Sequence, residues 1–383
     1  MSLRFAHPSW IEIDLSQFRN NISLIRSYIG DRLLCLPVKA NAYGHGLTKI
    51  GKIAEECKVD YLGVAYLQEG IQLRHAGVSL PILVLGAVHE DQIQDLIKYE
   101  LEISVSSLYK ANFIHAIAKE MKKKCRVHLE IDTGMQRTGV RPSTGKKLLE
   151  ELYKMSFLDV VGVYTHFATS DIPDHPFANE QMRQIQEFFN DPIVKDHNLI
   201  RHIANSGALV HLPGSSVDMV RPGILSFGYF EGNRAPLLKE VKPFFSLKAK
   251  ISYFKVVASG QGISYGHTFT TQKQTRIVTI PVGYGDGYRR SLSNKGSVLI
   301  RGKKYPIVGM ICMDQFMVDI GEDEAYIGDE VTLIGRQGNE EISLLEIAKI
   351  CDTIPYEVLC LFNDRIPRVY CDKTRDQTDL FRI

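Results

Sequence analysis

Several short segments of the 383-residue chain set chemically able side chains at the ends of apolar runs. The first is Pro37-Val38-Lys39-Ala40-Asn41-Ala42-Tyr43-Gly44-His45-Gly46, directly behind the apolar residues 33–36. A lysine in that setting is partly desolvated, and burial lowers an ammonium pKa. A neutral amine is what Schiff-base formation with an aldehyde group needs. Position alone favours a plainer account, a lysine snorkelling to a rim, so the case for Lys39 depends on its neighbours. Asp132-Thr-Gly-Met-Gln-Arg137-Thr-Gly-Val140 adds a cation, and a run ending at His166 adds an imidazole. Asn205-Ser206-Gly207 and Arg221-Pro222-Gly223 complete the set. Small residues and glycine let backbone N–H groups close on a phosphate. For Arg221 an ordinary strand-end salt bridge is the competing account.

These side chains can meet only if their strands share one end. Strand-like runs fall at 33–38, 61–65, 82–86, 102–105, 125–132, 159–166, 201–205 and 217–223, with amphipathic stretches such as 47–57 and 179–189 between them. An earlier helical pattern carries Leu15, Phe18, Ile22, Ile25 and Ile29 on one face. Eight strand–helix units in about 200 residues predict a parallel (β/α)8 barrel, with function at the C-terminal strand ends. A doubly wound open sheet is the alternative. Near residue 240 the texture changes to short β-prone runs separated by Gly, Asp and Asn. Only 343–352 reads as helix there, with Ser343 placed to cap it and Glu346 three residues on. The organisation expected is a barrel domain over 1–240 and a mainly β domain over 241–383. The first ~13 residues are free to pack on the β domain.

Composition narrows the partners. With 46 basic and 44 acidic residues the net charge is +2, which lacks the basic excess of a nucleic-acid binder. No run approaches the ~18–20 apolar residues of a membrane span; the longest, 82–88, reads as a buried strand. The start lacks the apolar stretch and cleavage site of a signal peptide. The 7 cysteines are scattered and form no CxxC pair, which argues against a disulfide framework or a zinc site and for a reducing compartment. The expectation is a cytoplasmic protein without a structural metal, whose partners are small molecules or a second copy of itself.

Taken together, PVKANAYGHG, DTGMQRTGV, THFATSD, ANSGA, VRPGI, SYGHTF, VGYGDGY, GMICMDQFMVD and IPYE resemble the segments of the alanine racemase family, in family order from about residue 35 to 368. That resemblance implies an isomerase using pyridoxal 5′-phosphate (PLP), with a barrel and a C-terminal β domain, making D-alanine for peptidoglycan. Lys39 would hold PLP by a Schiff base. Tyr43, Ser206, Gly223, Ile224 and Tyr356 would surround its phosphate, with Asn205 in the same loop. Arg221 would face the pyridine nitrogen, linked to His166 and His202. Arg137 and Met313 would contact substrate, and Tyr284 would line the entrance. Tyr265 would be the second base, delivered with Met313 to the Lys39 of another copy in a head-to-tail homodimer.

Two bases suit the chemistry, because one rigid base reaches only one face of Cα. A tyrosine normally titrates near 10, so its phenolate needs nearby positive charge or hydrogen bonds. Arginine against the pyridine nitrogen disfavours protonation there and weakens the ring as an electron sink, which limits reprotonation at the wrong atom. One position departs from the family: where it often carries a carbamylated lysine, this chain has Glu130. Glutamate is also anionic, so it is expected to orient Arg137, against the plainer account of a strand carboxylate paired elsewhere. The rival readings are a racemase of another small amino acid such as serine, a PLP decarboxylase of similar architecture, a non-catalytic PLP carrier, and a phosphate-sugar barrel enzyme without PLP.

Overall fold

A computed structural model describes residues 7–230 and 235–372, so the first six residues, the four at 231–234 and the last eleven lie outside it. The described chain divides into two compact units. One holds Phe18–Ala42 with Gly46–Lys242; the other gathers residues 7–17, Tyr43–His45 and 243–372. Among the described residues no helix is long and apolar enough to cross a membrane.

The first strand, β1 (Ser9–Asp14), alternates buried and half-buried residues. Asp14 then caps the helix Leu15–Ile29, its Oδ1 accepting from the backbone N–H of Ser16 (3.0 Å) and Gln17 (3.1 Å). The barrel unit carries β2 (Leu33–Pro37), β3 (Tyr61–Val64), β4 (Ile82–Val84), β5 (Leu101–Val105), β6 (Cys125–Glu130), β7 (Leu158–Tyr164), β8 (Ile200–His202) and β9 (Met219–Val220). All neighbours pair parallel, and β2 pairs with β9 through Leu33↔Met219 and Leu34↔Val220, which closes the barrel and removes the open-sheet alternative. Each of the eight runs read from the sequence overlaps one of these strands, with β5, β7 and β8 each beginning one residue before its run. The shortest, β9, spans two residues and needs the ladder to its neighbours to be seen as a strand at all.

Side chains fill the barrel in layers. Near the strand starts Cys35, Tyr61 and Met219 form an apolar cluster with Leu33 and Ile200 packed against it. One layer further along, the interior turns polar: Glu102, Ser104, His128, Glu130, His202 and Arg221 are all buried. Barrel interiors are ordinarily branched and apolar, so this buried polar set is the fold's first sign of function.

In the second unit β10 (Phe245–Lys250), β11 (Tyr253–Val257), β14 (Thr275–Ile280), β15 (Ser297–Ile300), β16 (Lys303–Val308), β17 (Phe316–Gly321), β18 (Glu330–Gln337) and β20 (Arg368–Cys371) join β1 in the order β11-β14-β17-β16-β15-β18-β10-β1-β20. A short β19 (Glu340–Ile342) pairs off β18, and β12 (Gly262–Ile263) with β13 (Phe269–Thr270) forms a separate ribbon. Ser343 caps the helix Leu344–Ile350, accepting from the N–H of Glu346 (3.1 Å). A second helix, Pro355–Leu361, was not read from the sequence; Pro355 at its first turn was the available signal.

Candidate active site

Lys39 lies two residues beyond β2, half-buried, and the backbone after it is unusual. Ala40, Asn41, Ala42 and Tyr43 have φ of 53°, 55°, 52° and 51°, a full turn of left-handed helix made of non-glycine residues. Each such residue costs ~1–2 kcal/mol, so the surroundings must hold the turn. Ala42 N–H donates to Val38 O (2.7 Å) and Gly46 N–H to Asn41 O (2.9 Å). The Asn41 carboxamide oxygen accepts from Leu47 N–H (2.7 Å). Glu69 serves two loops at once: one oxygen accepts from Ala40 N–H (2.7 Å), the other from Ala65 (2.7 Å) and Tyr66 (3.2 Å). These bonds fix the direction in which the chain leaves Lys39.

Arg221, at the end of β9, is 4% exposed. Its Nη1 donates to His202 Nδ1 (2.7 Å) and to His202 O (2.7 Å), and Nη2 donates to Thr165 O (2.8 Å). The guanidinium lies 5.1 Å from the Tyr164 ring centre, and that ring stacks on His202 at 4.7 Å. Among the described residues no acceptor meets the Nε–H or the second Nη2 hydrogen. Burial lowers the Arg221 pKa, and burial with the neighbouring Arg221 cation holds His202 well below its usual range. His202 is therefore neutral, as its acceptor role at Nδ1 requires.

His166 is pushed down to about 3 by burial first, then by the cations of Arg221, Arg137 and Lys39. Its carbonyl accepts from the buried Gln181 amide (3.1 Å), which also donates to Thr133 (3.1 Å). Asp132 folds the loop that carries Arg137, its Oδ1 accepting from Gly134 N–H (2.9 Å) and Gln136 N–H (3.1 Å). Glu130 accepts from the Thr138 hydroxyl (2.7 Å), and burial raises its pKa. Arg137 acts on Glu130 through space, with no hydrogen bond or ion pair joining the two among the described residues.

After β8, Asn205 is the N-cap of the short helix Ser206–His211. Its Oδ1 accepts from Ala208 N–H (2.9 Å) and the Ser170 hydroxyl (2.7 Å). Gly207 has no room for a side chain, since a Cβ would come within 2.6 Å of the Ser170–Asp171 peptide. The Ser206 hydroxyl accepts from Leu225 N–H (3.2 Å), which ties this turn to the buried Gly223 and Ile224.

In the second unit Tyr43 and Tyr356 rings lie 5.9 Å apart, tilted by 52°. Tyr265 occupies a turn between Ser264 (φ 64°) and Gly266 (φ 70°), and the Ser264 hydroxyl donates to Met310 O (2.7 Å). Tyr265 is 73% exposed and Met313 53%, and both line one open groove with Tyr253, Lys255 and His267. Tyr284 N–H donates to Cys312 O (3.0 Å) and Gly285 N–H to Met313 O (2.9 Å), so the Tyr284 turn and the Met313 loop form one piece. Asp286 fastens it, accepting from Gly283 N–H (2.8 Å) and pairing with Arg365 (3.3 Å).

The barrel therefore brings Lys39, Glu130, His166, His202, Asn205, Ser206, Arg221, Gly223 and Ile224 to its C-terminal strand ends, and the second unit groups Tyr265 with Met313 and Tyr284. Glu69, Glu102, His128, Tyr164 and Gln181 were not singled out from the sequence. A carboxylate inside the apolar run of β5 and a His-Leu-Glu alternation on β6 were the signals for two of them.

Residues 13–231 match the family model described as alanine racemase, N-terminal domain, and residues 244–370 match that for the C-terminal domain. The chain is 39% identical over 378 residues to the alanine racemase of Halothermothrix orenii, covering 97% of this chain and 99% of that one. It is 38% identical over 372 residues to the alanine racemase of Methanococcus maripaludis, covering 95% and 99%. Among solved structures, alanine racemase from Clostridium difficile 630 aligns with a TM-score of 0.91 at 37% identity, covering 99% and 98%. The Bacillus anthracis alanine racemase with bound L-Ala-P aligns at 0.88 and 35%, covering 97% of each chain.

Proposed function

The chain belongs to the alanine racemase family and is an isomerase that interconverts L- and D-alanine, and we propose that it does so with PLP held at Lys39 and with Lys39 and Tyr265 as its two bases. The observation that carries the cofactor reading is Arg221. Three of its N–H groups are spent on protein acceptors and the other two meet none among the described residues, at the end of the barrel where Lys39 also lies. A ring nitrogen acting as acceptor satisfies a donor left in this way. A neutral His166 beside that arginine and the glycine-lined turns at 206–207 and 223–224 fit an aromatic phosphate ester.

PLP supplies an electron-withdrawing ring in conjugation with the substrate nitrogen, which lowers the cost of negative charge on Cα. The chain's own residues do the rest. Lys39, steered by the left-handed turn behind it, takes or returns the Cα proton on one face. Tyr265 of a second copy serves the other face, and its 73% exposure suits a groove that another copy covers. Arg221, always protonated, would keep a proton off the pyridine nitrogen. Ser206, Gly223, Ile224, Tyr43 and Tyr356 would hold the phosphate, with Asn205 supporting Ser206 as the cap of its turn. Arg137 and Met313 contact the substrate, Glu130 orients Arg137 by charge, and Tyr284 lines the entrance. The assembly proposed is a head-to-tail homodimer in the cytoplasm, with D-alanine going to peptidoglycan.

The test is racemisation of single enantiomers of alanine and serine, with carbon dioxide release followed in parallel. Lys39→Ala and Tyr265→Ala should each abolish loss of optical rotation, and borohydride should fix PLP to wild type but not to Lys39→Ala. Racemisation that survives in Tyr265→Ala would contradict the two-base reading, and carbon dioxide release would favour a decarboxylase.

A further inference from the structure

The Arg221 guanidinium is the near end of a buried chain that continues through side chains the reaction does not touch. Arg221 Nη1 to His202 Nδ1 is 2.7 Å, His202 Nε2 to His128 Nδ1 is 2.9 Å, and His128 Nε2 to Glu102 Oε2 is 2.7 Å. The two imidazoles are fully buried and Glu102 is 3% exposed. Beyond it, Arg126 pairs with the other Glu102 oxygen at 2.6 Å and donates to the Tyr61 hydroxyl (3.2 Å). Four strands, β5, β6, β8 and β9, contribute one member each or end beside one.

The two ends fix the direction of every bond between them. A guanidinium can only donate, so His202 Nδ1 is bare and its proton lies on Nε2. That proton is donated to His128 Nδ1, which leaves the His128 proton on Nε2, donated in turn to a carboxylate that can only accept. No other placing of the ring protons satisfies both neighbours of each imidazole. The fold makes room for this arrangement. Gly162, paired in register with His128, has a backbone position where a Cβ would overlap the His128 ring.

We propose that Glu102 and His128 are positioning residues for the cofactor: through His202 they lock the rotation of the Arg221 guanidinium, so that its Nε–H and remaining Nη2 hydrogen face the pyridine nitrogen. A single bond from Arg221 to His202 would allow the imidazole to flip and offer a donor in place of an acceptor. The anion two rings away prevents that flip. Such a chain in a low-dielectric interior is costly to break and stiff when complete. This inference rests on the functional reading above, in which Arg221 meets PLP.

The experiment uses the full-length holoenzyme, wild type beside Glu102→Gln, His128→Gln and His128→Leu. The readouts are the PLP dissociation constant, the visible absorption of the bound cofactor, and the nitrogen resonances of 15N-labelled histidine. Glutamine at position 128 preserves the polarity of the chain, accepting from His202 and donating to Glu102, whereas leucine fills the space and breaks it. His128→Leu should weaken PLP binding about tenfold, roughly 1.4 kcal/mol, and remove the Nε2-protonated signature of His202; His128→Gln should stay within about twofold of wild type. Glu102→Gln keeps an acceptor but loses the anion, and should loosen PLP by about threefold with a shifted visible band. Unchanged PLP affinity in Glu102→Gln overturns the proposal, whether or not His128→Leu folds. So does equal weakening in His128→Gln and His128→Leu, because packing alone would then explain it. A wild type that takes up no PLP sinks the functional reading itself, and this inference with it.

Discussion

Acid should destabilise this chain in a way that one side chain reports. His166 ordinarily would titrate near 6.5 and is pushed down to about 3 in the folded chain, by burial and by the cations of Arg221, Arg137 and Lys39. Below pH 6.5 the unfolded chain therefore binds a proton that the folded chain refuses. Stability that is fully present above 6.5 drains as the pH falls and is lost entirely below the folded value. At ~1.36 kcal/mol per pH unit, the loss attributable to His166 is about 2 kcal/mol at pH 5 and about 5 kcal/mol below pH 3. His166→Gln removes the titrating group and keeps a polar side chain. Unfolding by urea at pH 8 and pH 5 should show wild type losing about 2 kcal/mol more than the variant over that interval. Proton NMR of the His166 ring should show no titration between pH 5 and 8. Parallel losses in the two proteins, or a ring that titrates near 6.5, would refute the placing of a neutral imidazole among three cations.

Gly44 has a φ of 78°, and a Cβ there would overlap the Leu359 carbonyl oxygen, so Gly44→Ala should cost about 3 kcal/mol or more and lower the melting temperature by several degrees. Glu69→Ala leaves three backbone N–H groups without their acceptor and should loosen the left-handed turn behind Lys39. Its expected signature is PLP binding weakened by about fivefold, measured by equilibrium dialysis, with a change in Tm of only a few degrees. Glu130→Gln keeps the bond from Thr138 but removes the charge felt by Arg137. The KM for alanine should rise about fivefold with kcat nearly constant, and steady-state constants equal to those of wild type would leave Glu130 a purely structural residue.

Which parts of this were legible in the sequence follows from the range over which each signal acts. The eight barrel strands showed themselves as local apolar runs, and the ends of those runs held Lys39, His166, Asn205 and Arg221, whose roles only the resemblance of the surrounding motifs singled out. Closure was expected from the count of eight units with an open sheet as the alternative, and the two-residue β9 takes its identity from the pairing of Leu33 with Met219 across the sheet. The left-handed turn at 40–43 was hidden. Asn41 alone is a residue type that favours it, and two alanines and a tyrosine argue against it. What stabilises the turn is Glu69, 29 positions away from Ala40, and no local pattern reports a bond of that span.

The polar layer of the barrel was half legible, and the half that was missed is the instructive one. On β6, His128 and Glu130 alternate with Leu129, and a period of two assigns both polar side chains to one face. In a parallel sheet both faces are covered, so a charged residue on either face needs a partner, and that reasoning applies as well to Glu102 within Leu101–Val105. A carboxylate and an imidazole in adjacent buried strands of one barrel can satisfy each other only inside it. The register that pairs Ser104 with His128, and His128 with Gly162, sets where they meet. Gly162 then follows as a requirement, since any side chain there would displace the His128 ring. The apolar cluster of Cys35, Tyr61 and Met219 lies nearer the strand starts and gives the barrel a packed floor. Hydrophobic burial secures that floor without the polar layer, which leaves the layer above free to be specified by hydrogen-bond direction. A donor-only group at one end and an acceptor-only group at the other then determine a single arrangement of the protons between them.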